Sequence, residues 1–389
     1  MKKILFVNGF SGGSTFSIIK DLNEMFVDMG YETYFFGREK RDMNFFKKTF
    51  FSSYSKIGYF FNRLQTYFFG NDGFLFGFAK IRTRFVLNTI KPDIIHLHNV
   101  HSSFLNIKEI FKYSKKHNVK VYWTLHDCWL CTGRCAYNFE CKKTGYKCSN
   151  CKFLSFYPSS INRHSKHYFL EKKKLIENNN IIFISPSNWL KNFFELIHGK
   201  KCIVINNGID TKIFHSKTTE KMFDCENKIV VGCAAYLLTE GKGLNDIIEL
   251  GKQLDSNKYL LVAVGRKITK PLTENNILFL PRLNSKEEMA NFYNSISVFL
   301  NPTLQDNFPT THLEALACGT PVITYDVGGA GELIRNGYNG FKLKIHDIKG
   351  IVDALNDDFD KKMSDFRKNV DSSLYSKETM KNRYKELMI

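Results

Sequence analysis

Short apolar runs rich in Ile, Val, Leu and Phe recur along the chain. Most end in Gly, Asn, Asp or His, ahead of stretches whose apolar positions fall every three or four residues. Runs of this kind read as buried parallel strands, and the stretches between them as helices. In the first half the strands are Ile4–Asn8, Asp93–His98, Val121–Asp127, Ile181–Ser187 and Cys202–Asp210. Gly12 and Gly13 precede a helical pattern over Ser14–Met29, and Ser187-Asn188-Trp189 starts another helix. The second half restarts with Ile229–Ala235, after which Gly241-Lys242-Gly243 opens a helix. It continues with strands at Leu260–Gly265, Leu278–Leu280, Val298–Leu300, Val322–Thr324 and Gly340–Leu343, and residues 361–389 read as helical. Alternation of this kind in two halves predicts two doubly wound α/β domains, with ligands at the carboxyl ends of the strands. No internal repeat breaks the pattern.

The most informative stretch is Asp306–Gly329, DNFPTTHLEALACGTPVITYDVGG. Pro309, Thr310 and Thr311 read as a helix start in which Thr hydroxyls cap free N–H groups, and Gly319 stands where a helix stops. Val322–Thr324 follows as a strand, and Gly328-Gly329 turns the chain. Free amides at a helix N-terminus hold a phosphate, and the flanking carboxylates of Asp306 and Glu314 accept hydrogen bonds from sugar hydroxyls. A nucleotide-sugar needs both.

A length of 389 residues accommodates two domains. No apolar run approaches the roughly eighteen residues of a membrane span. MKKILFVNGF is too short and too interrupted for a signal peptide and reads as a first strand, in an unexported protein. Residues 1–205 carry 32 Lys and Arg against 14 Asp and Glu, and the remainder carries 24 against 24, so the net charge of +18 lies wholly in the first half. No nucleic-acid-binding motif accompanies that charge, which leaves phosphorylated ligands and anionic lipid as partners.

Within residues 45–78, 14 of 34 positions are Phe or Tyr, interleaved with Lys47, Lys48, Lys56 and Arg63. Their near-helical spacing suits either a membrane-interface helix with basic flanks or rings that fill the N-terminal core or an interdomain surface. Six cysteines fall within 128–151. Cys148-Ser-Asn-Cys151 is a C-x-x-C pair and Cys135 with Cys141 supplies a second, which would make a closed tetrahedral zinc site. Disulfides and free buried thiols are the alternatives.

The Asp306–Gly329 stretch resembles the donor-sugar signature of the retaining family-four glycosyltransferases, E-x7-E followed by A-x-A-x-G-x-P-V. Here it reads Asp306, seven residues, Glu314, then ALACGTPV, with Asp in place of the first Glu. The resemblance extends over essentially the whole chain. It is closest to enzymes of bacterial capsule, colanic acid or O-antigen synthesis, where HDCW-x-x-T-G-x-C and DNFPTTHLEALACGTPV occur together.

It implies the GT-B fold, two Rossmann-like domains facing a cleft. Residues 1–206 would bind the acceptor, with 372–389 packing back on them, and 207–371 would bind the nucleotide-sugar, across a linker near 207–226. By the same resemblance His126, chosen over His98, reaches the donor sugar. Asp306 holds the hexose, Glu314 the ribose, and Lys242 the diphosphate. Asn307, Phe308, Thr310 and Thr311 belong to the donor loop, and Gly12 and Gly13 border the acceptor and the diphosphate, although a tight connection alone would also explain that glycine pair.

The family's usual Arg is missing, since Cys233-Ala234-Ala235-Tyr236 stands in its place. Arg266, followed by Lys267, is the candidate to replace its charge. The activity implied is retaining transfer of a hexose from a nucleotide diphosphate sugar to a glycan, commonly carried on a polyprenyl diphosphate. The enzyme would be cytoplasmic and peripheral on the inner membrane face. No catalytic cofactor is implied, because no Asp-x-Asp stands at a strand end, so zinc would be structural. The alternatives are a sugar-nucleotide epimerase of the same fold or a non-catalytic glycan-binding partner.

Overall fold

The computed structural model describes residues 1–38, 45–51, 56–137, 141, 143–217, 222–223, 228–265, 267–355 and 358–388. The chain divides into two compact units, Met1–Asn206 with Tyr384–Ile389, and Asn207–Arg383.

The first unit is built on a seven-stranded sheet. Its strands are β1 (Lys3–Val7), β2 (Glu32–Gly37), β3 (Lys48–Phe51), β4 (Ile94–Leu97), β5 (Lys120–Thr124), β6 (Ile181–Ser185) and β7 (Cys202–Val204). They run parallel in the order β3-β2-β1-β4-β5-β6-β7. Ile4, Leu5, Phe6 and Val7 are wholly buried, as a strand covered on both faces requires. The strand order reverses between β1 and β4, so the loops after those two strands diverge and leave room for a ligand.

The second unit repeats the design with β8 (Ile229–Ala234), β9 (Tyr259–Val264), β10 (Leu272–Glu274), β11 (Ile277–Leu280), β12 (Val298–Asn301), β13 (Val322–Tyr325) and β14 (Gly340–Leu343). The order is β10-β11-β9-β8-β12-β13-β14, parallel except where β10 pairs with β11. Its reversal lies between β8 and β12.

Several expectations change. The aromatic tract is not one helix: Lys48–Phe51 forms the edge strand β3 and a helix occupies Lys56–Phe69. Phe46 and Phe50 are buried, whereas Phe60, Phe61, Phe68 and Phe69 are each more than half exposed. Phe46 and Phe50 thus fill the core, while the exposed rings of the helix do not. The C-terminal stretch is broken into helices Phe359–Lys368 and Lys377–Met388 around a short turn at Ser372–Tyr375. Tyr384, on the second helix, is buried and shares a 3.0 Å hydrogen bond with Thr124 at the end of β5.

Candidate active site

In the second unit the loops after β8, β12 and β13 meet at the point of strand reversal. Two glycines set how closely they approach. Gly243 has φ +76°, and a Cβ on it would lie 2.2 Å from the Pro302 carbonyl oxygen. Gly328 has φ +57°, and its Cβ would lie 2.1 Å from the Asp306 carbonyl oxygen. Only glycine permits such backbone approaches. Around them the Leu304 amide donates to the Gly241 carbonyl at 3.1 Å, and the Gly329 amide to that of Asp306 at 2.9 Å.

The loops so fixed bring Lys242, at the end of the short turn Glu240–Lys242, against Asp306. Its Nζ donates to Asp306 Oδ2 at 2.6 Å, with the two side chains 35% and 21% exposed. An ion pair this open to solvent is worth at most about 1 kcal/mol, so an incoming phosphate can draw the ammonium away at little cost.

The helix that follows spans Thr310–Ala317 with Pro309 at its N-cap, and no side chain caps it. This corrects the expected Thr cap. Thr310 and Thr311 are the first two helical residues, one and two positions too late for their hydroxyls to fill the cap. The first turn thus keeps its positive end without a side-chain oxygen on it. Asn307 and Phe308 are buried, and the Phe308 carbonyl accepts from Asn207 Nδ2 at 3.0 Å, so this pair anchors the loop from below.

Glu314 lies one turn deeper on the same helix and accepts from Tyr293 Oη at 3.0 Å. An edge of the residue reaches solvent, yet burial pushes the carboxyl up to about 7, against the opposing pull of Tyr293 and Lys286. His312, which the sequence gave no reason to single out, is buried beneath the loop. It accepts from Asn301 Nδ2 at 2.8 Å, and burial holds it neutral, down to about 4. Arg266 lies outside the described residues. Another cation stands near the position of the missing family Arg: Arg282, after β11, lies 4.1 Å from the ring of Tyr236. No sequence spacing links those two residues.

In the first unit the loops after β1, β4 and β5 carry the titratable cluster. Gly12 caps a helix at Gly13–Asp28 with no side-chain hydrogen bond, and Gly12 and Gly13 are both exposed. Gly9 approaches the next loop so closely that a Cβ would lie 2.4 Å from Ser102 Oγ. His98 Nδ1 and His126 Nε2 are 2.9 Å apart, and His96 Nε2 is 2.8 Å from Thr124 Oγ1. Burial depresses all three imidazoles, His96 to about 3 and His126 to about 4. They are neutral near pH 7, and of the bonded pair His126 alone keeps an exposed edge. A neutral imidazole there can exchange a hydrogen bond with a sugar hydroxyl.

His101 behaves differently. Burial opposes its protonation, but Asp127, 2.7 Å from its Nε2, more than offsets this and raises it. Burial likewise works against the Asp127 carboxylate, and His101 overrides it and lowers the pKa.

Comparison with known proteins bears on the family and the fold. The sequence pattern described as Glycosyltransferase Family 4 matches residues 17–213, and that described as Glycosyl transferases group 1 matches residues 218–372. A protein of Escherichia coli (strain K12) described as a colanic acid biosynthesis glycosyl transferase, WcaC, is 28% identical over 284 residues, 67% of this chain and 66% of that one. The match thus spans just under two thirds of that relative. Among solved structures, the sucrose-phosphate synthase of Thermosynechococcus elongatus superposes with a TM-score of 0.73 at 13% identity, covering 100% of this chain and 98% of the other. Anabaena HepE in complex with UDP-glucose superposes with a TM-score of 0.70 at 15% identity, covering 100% and 99%. These structural likenesses concern the fold, two Rossmann-like α/β units of the GT-B type.

Proposed function

The chain belongs to glycosyltransferase family 4, and from that premise we propose that it transfers a hexose-type sugar, with retention, from a nucleotide diphosphate to a glycan carried on a polyprenyl diphosphate in bacterial surface polysaccharide synthesis. The observation that carries this reading is the Lys242–Asp306 pair set beside a helix start that no side chain caps. A diphosphate bound there draws Lys242 from Asp306 and uses the helix amides. Asp306 is then released to accept from hexose hydroxyls. Glu314 receives the ribose hydroxyls. His126, in the first unit, offers a neutral hydrogen-bonding group to a sugar. Retention follows when the leaving phosphate assists attack of the acceptor on the face it has just left, which asks for no protein nucleophile.

HepE was crystallised with UDP-glucose, which makes UDP-hexoses the first donors to try. Screening nucleotide-sugars by thermal shift, then incubating the hits with lipid-linked glycan, tests the proposal. A stabilising donor whose sugar passes to the acceptor supports it. Interconversion of the sugar-nucleotide without acceptor would establish the epimerase, and no stabilisation by any nucleotide-sugar would defeat both.

Within that assay Glu314→Ala should weaken nucleoside diphosphate binding by about 1.5–3 kcal/mol, the loss of a hydrogen bond to a charged group. Because burial lifts the carboxyl to about 7, wild-type affinity should also rise with pH through that value as the acceptor ionises. Glu314→Gln keeps an acceptor for Tyr293 and should flatten this pH dependence. Calorimetric affinities that change neither with the substitution nor with pH would remove Glu314 from the ribose site.

Membrane attachment has a surface to act through. Phe60, Phe61 and Phe68 stand exposed on the helix Lys56–Phe69, and Phe78 and Ile81 on the next helix, Phe78–Ile90, which also carries Lys80, Arg82 and Arg84. Among the described residues no helix is long and apolar enough to cross a membrane, so attachment would be interfacial. Replacing Phe60, Phe61 and Phe68 by Ser should lower co-sedimentation with anionic vesicles at least about tenfold, since each buried ring contributes on the order of 1.5–3 kcal/mol. Salt should weaken what remains. Equal sedimentation of the variant would take the rings out of membrane binding.

A further inference from the structure

Between Thr132 and Ser165 the described backbone carries little regular structure beyond one short turn, Gly145–Lys147. A long polar loop of this kind needs an anchor other than a hydrogen-bonded ladder. Part of the anchor is visible. Arg134 is buried, and its Nη1 donates to the carbonyls of Leu154 and Phe156, both at 3.2 Å, and of Pro158 at 2.5 Å. Its Nη2 donates to Phe153 at 2.8 Å.

The loop also encloses a cavity of about 200 Å³ lined by Cys135, Cys141, Cys148, Cys151, Arg134 and Phe153 among others. All four thiols are free, and Arg134 Nη2 lies 3.9 Å from Cys151 Sγ. Arg134 Nε is buried without a hydrogen-bond partner among the described residues. A second buried cation adjoins: Lys172 Nζ donates to the Gly133 carbonyl at 3.2 Å and stands 4.1 Å from the Trp129 ring centre.

We propose that Cys135, Cys141, Cys148 and Cys151 bind one structural zinc ion as a tetrahedral tetrathiolate that closes this loop. The spacing alone admits disulfides or idle thiols; the structure adds convergence on one cavity and a matching field. Four thiolates around a divalent ion leave two negative charges in a partly buried place, and Arg134 and Lys172 supply two positive ones.

Among the described residues no three such donors already stand within coordinating distance, so the ion would draw the thiols inward from the cavity wall. Each thiol releases its proton to solvent as its Zn–S bond forms, and no electron is transferred.

The test uses the full chain. Protein purified without chelator should contain about one zinc per chain. Stripped protein titrated with cobalt(II) should develop the visible and sulfur-to-metal bands of a tetrahedral thiolate site, saturating near one equivalent. Cys148→Ser combined with Cys151→Ser should cut bound metal at least about tenfold, since half the ligands are gone. Cys131→Ala, a buried cysteine outside the cavity, should leave it unchanged. Metal-free protein whose four thiols all titrate freely while folded would overturn the proposal, as would two disulfides found by mass spectrometry or an octahedral cobalt spectrum. If the double variant does not fold, the wild-type metal content and the cobalt titration decide.

Discussion

Lys242→Ala should lower single-turnover sugar transfer at saturating donor by roughly 10²–10³, the scale seen when one preorganised charge-stabilising donor is removed. The loss should fall on turnover more than on donor affinity. In the free chain Lys242 is already engaged by Asp306 at 2.6 Å, so binding a diphosphate exchanges one anionic partner for another and gains little. As the glycosidic bond breaks, charge accumulates on the phosphate oxygens, and only then does the phosphate become the much stronger partner. Arg266→Ala and Arg282→Ala, made separately, locate the charge that replaces the missing family Arg. The variant with a comparable fall identifies it, and no fall in either means that one ammonium and the helix amides suffice. Transfer by Lys242→Ala at the parental rate would end the leaving-group assignment.

The second large effect should be on stability. His101→Ala leaves Asp127 buried without its cation, and breaking a buried pair in this way costs about 3–5 kcal/mol. Asp72 compounds the loss, because it too is buried close to His101; its carboxylate accepts from the amides of Ser102 and Ser103 at 2.7–3.0 Å and from that of Gly73.

The sign of the pH dependence follows from the two shifts. His101 is raised, so its contribution is complete below the ordinary histidine value and fades as pH climbs through the elevated one. Asp127 is lowered, so its contribution is complete above the ordinary aspartate value and fades as pH falls through the depressed one. Between them lies a plateau. Urea unfolding should show the wild type losing stability on both sides of it, and His101→Ala losing the alkaline limb. A cost below about 1 kcal/mol, or an unchanged alkaline limb, would show a neutral hydrogen bond instead.

Most strands and the 310–317 helix were legible because their signal is local: an apolar run, a glycine stop, a β-branched stretch before a turn. β2 and the short β10 were missed. β3 was hidden because the signal is local. The doublets Phe45-Phe46 and Phe50-Phe51 imitate helical spacing, and the pairing of Lys48–Phe51 with the preceding strand β2 decides the state of the second. The cap at Thr310 and Thr311 was misread because Pro309 takes the boundary itself, in an extended conformation at ψ 121°. The acids of the candidate site were visible as a spaced pair, but that Asp306 meets Lys242 across 64 residues was not. That meeting depends on backbone approaches at Gly243 and Gly328, which leave no spacing to find. Nor does any local pattern announce that His101 is raised and His126 lowered. Asp127 pulls on both rings, but only His101 is hydrogen-bonded to it and also faces Asp72.

Gly243 and Gly328 also bear on how such a chain could change its sugar over evolutionary time or in the laboratory. With a carbonyl lying where each missing Cβ would go, neither position can drift, and the loops they hold cannot lengthen or reshape independently. On the proposed donor site, diversification is left to side chains projecting from a fixed backbone, chiefly Asp306, Thr310 and Thr311. Donor preference should therefore be exchangeable between homologues by transplanting residues 306–311 as one cassette. Libraries that randomise the two glycines should return almost entirely inactive clones.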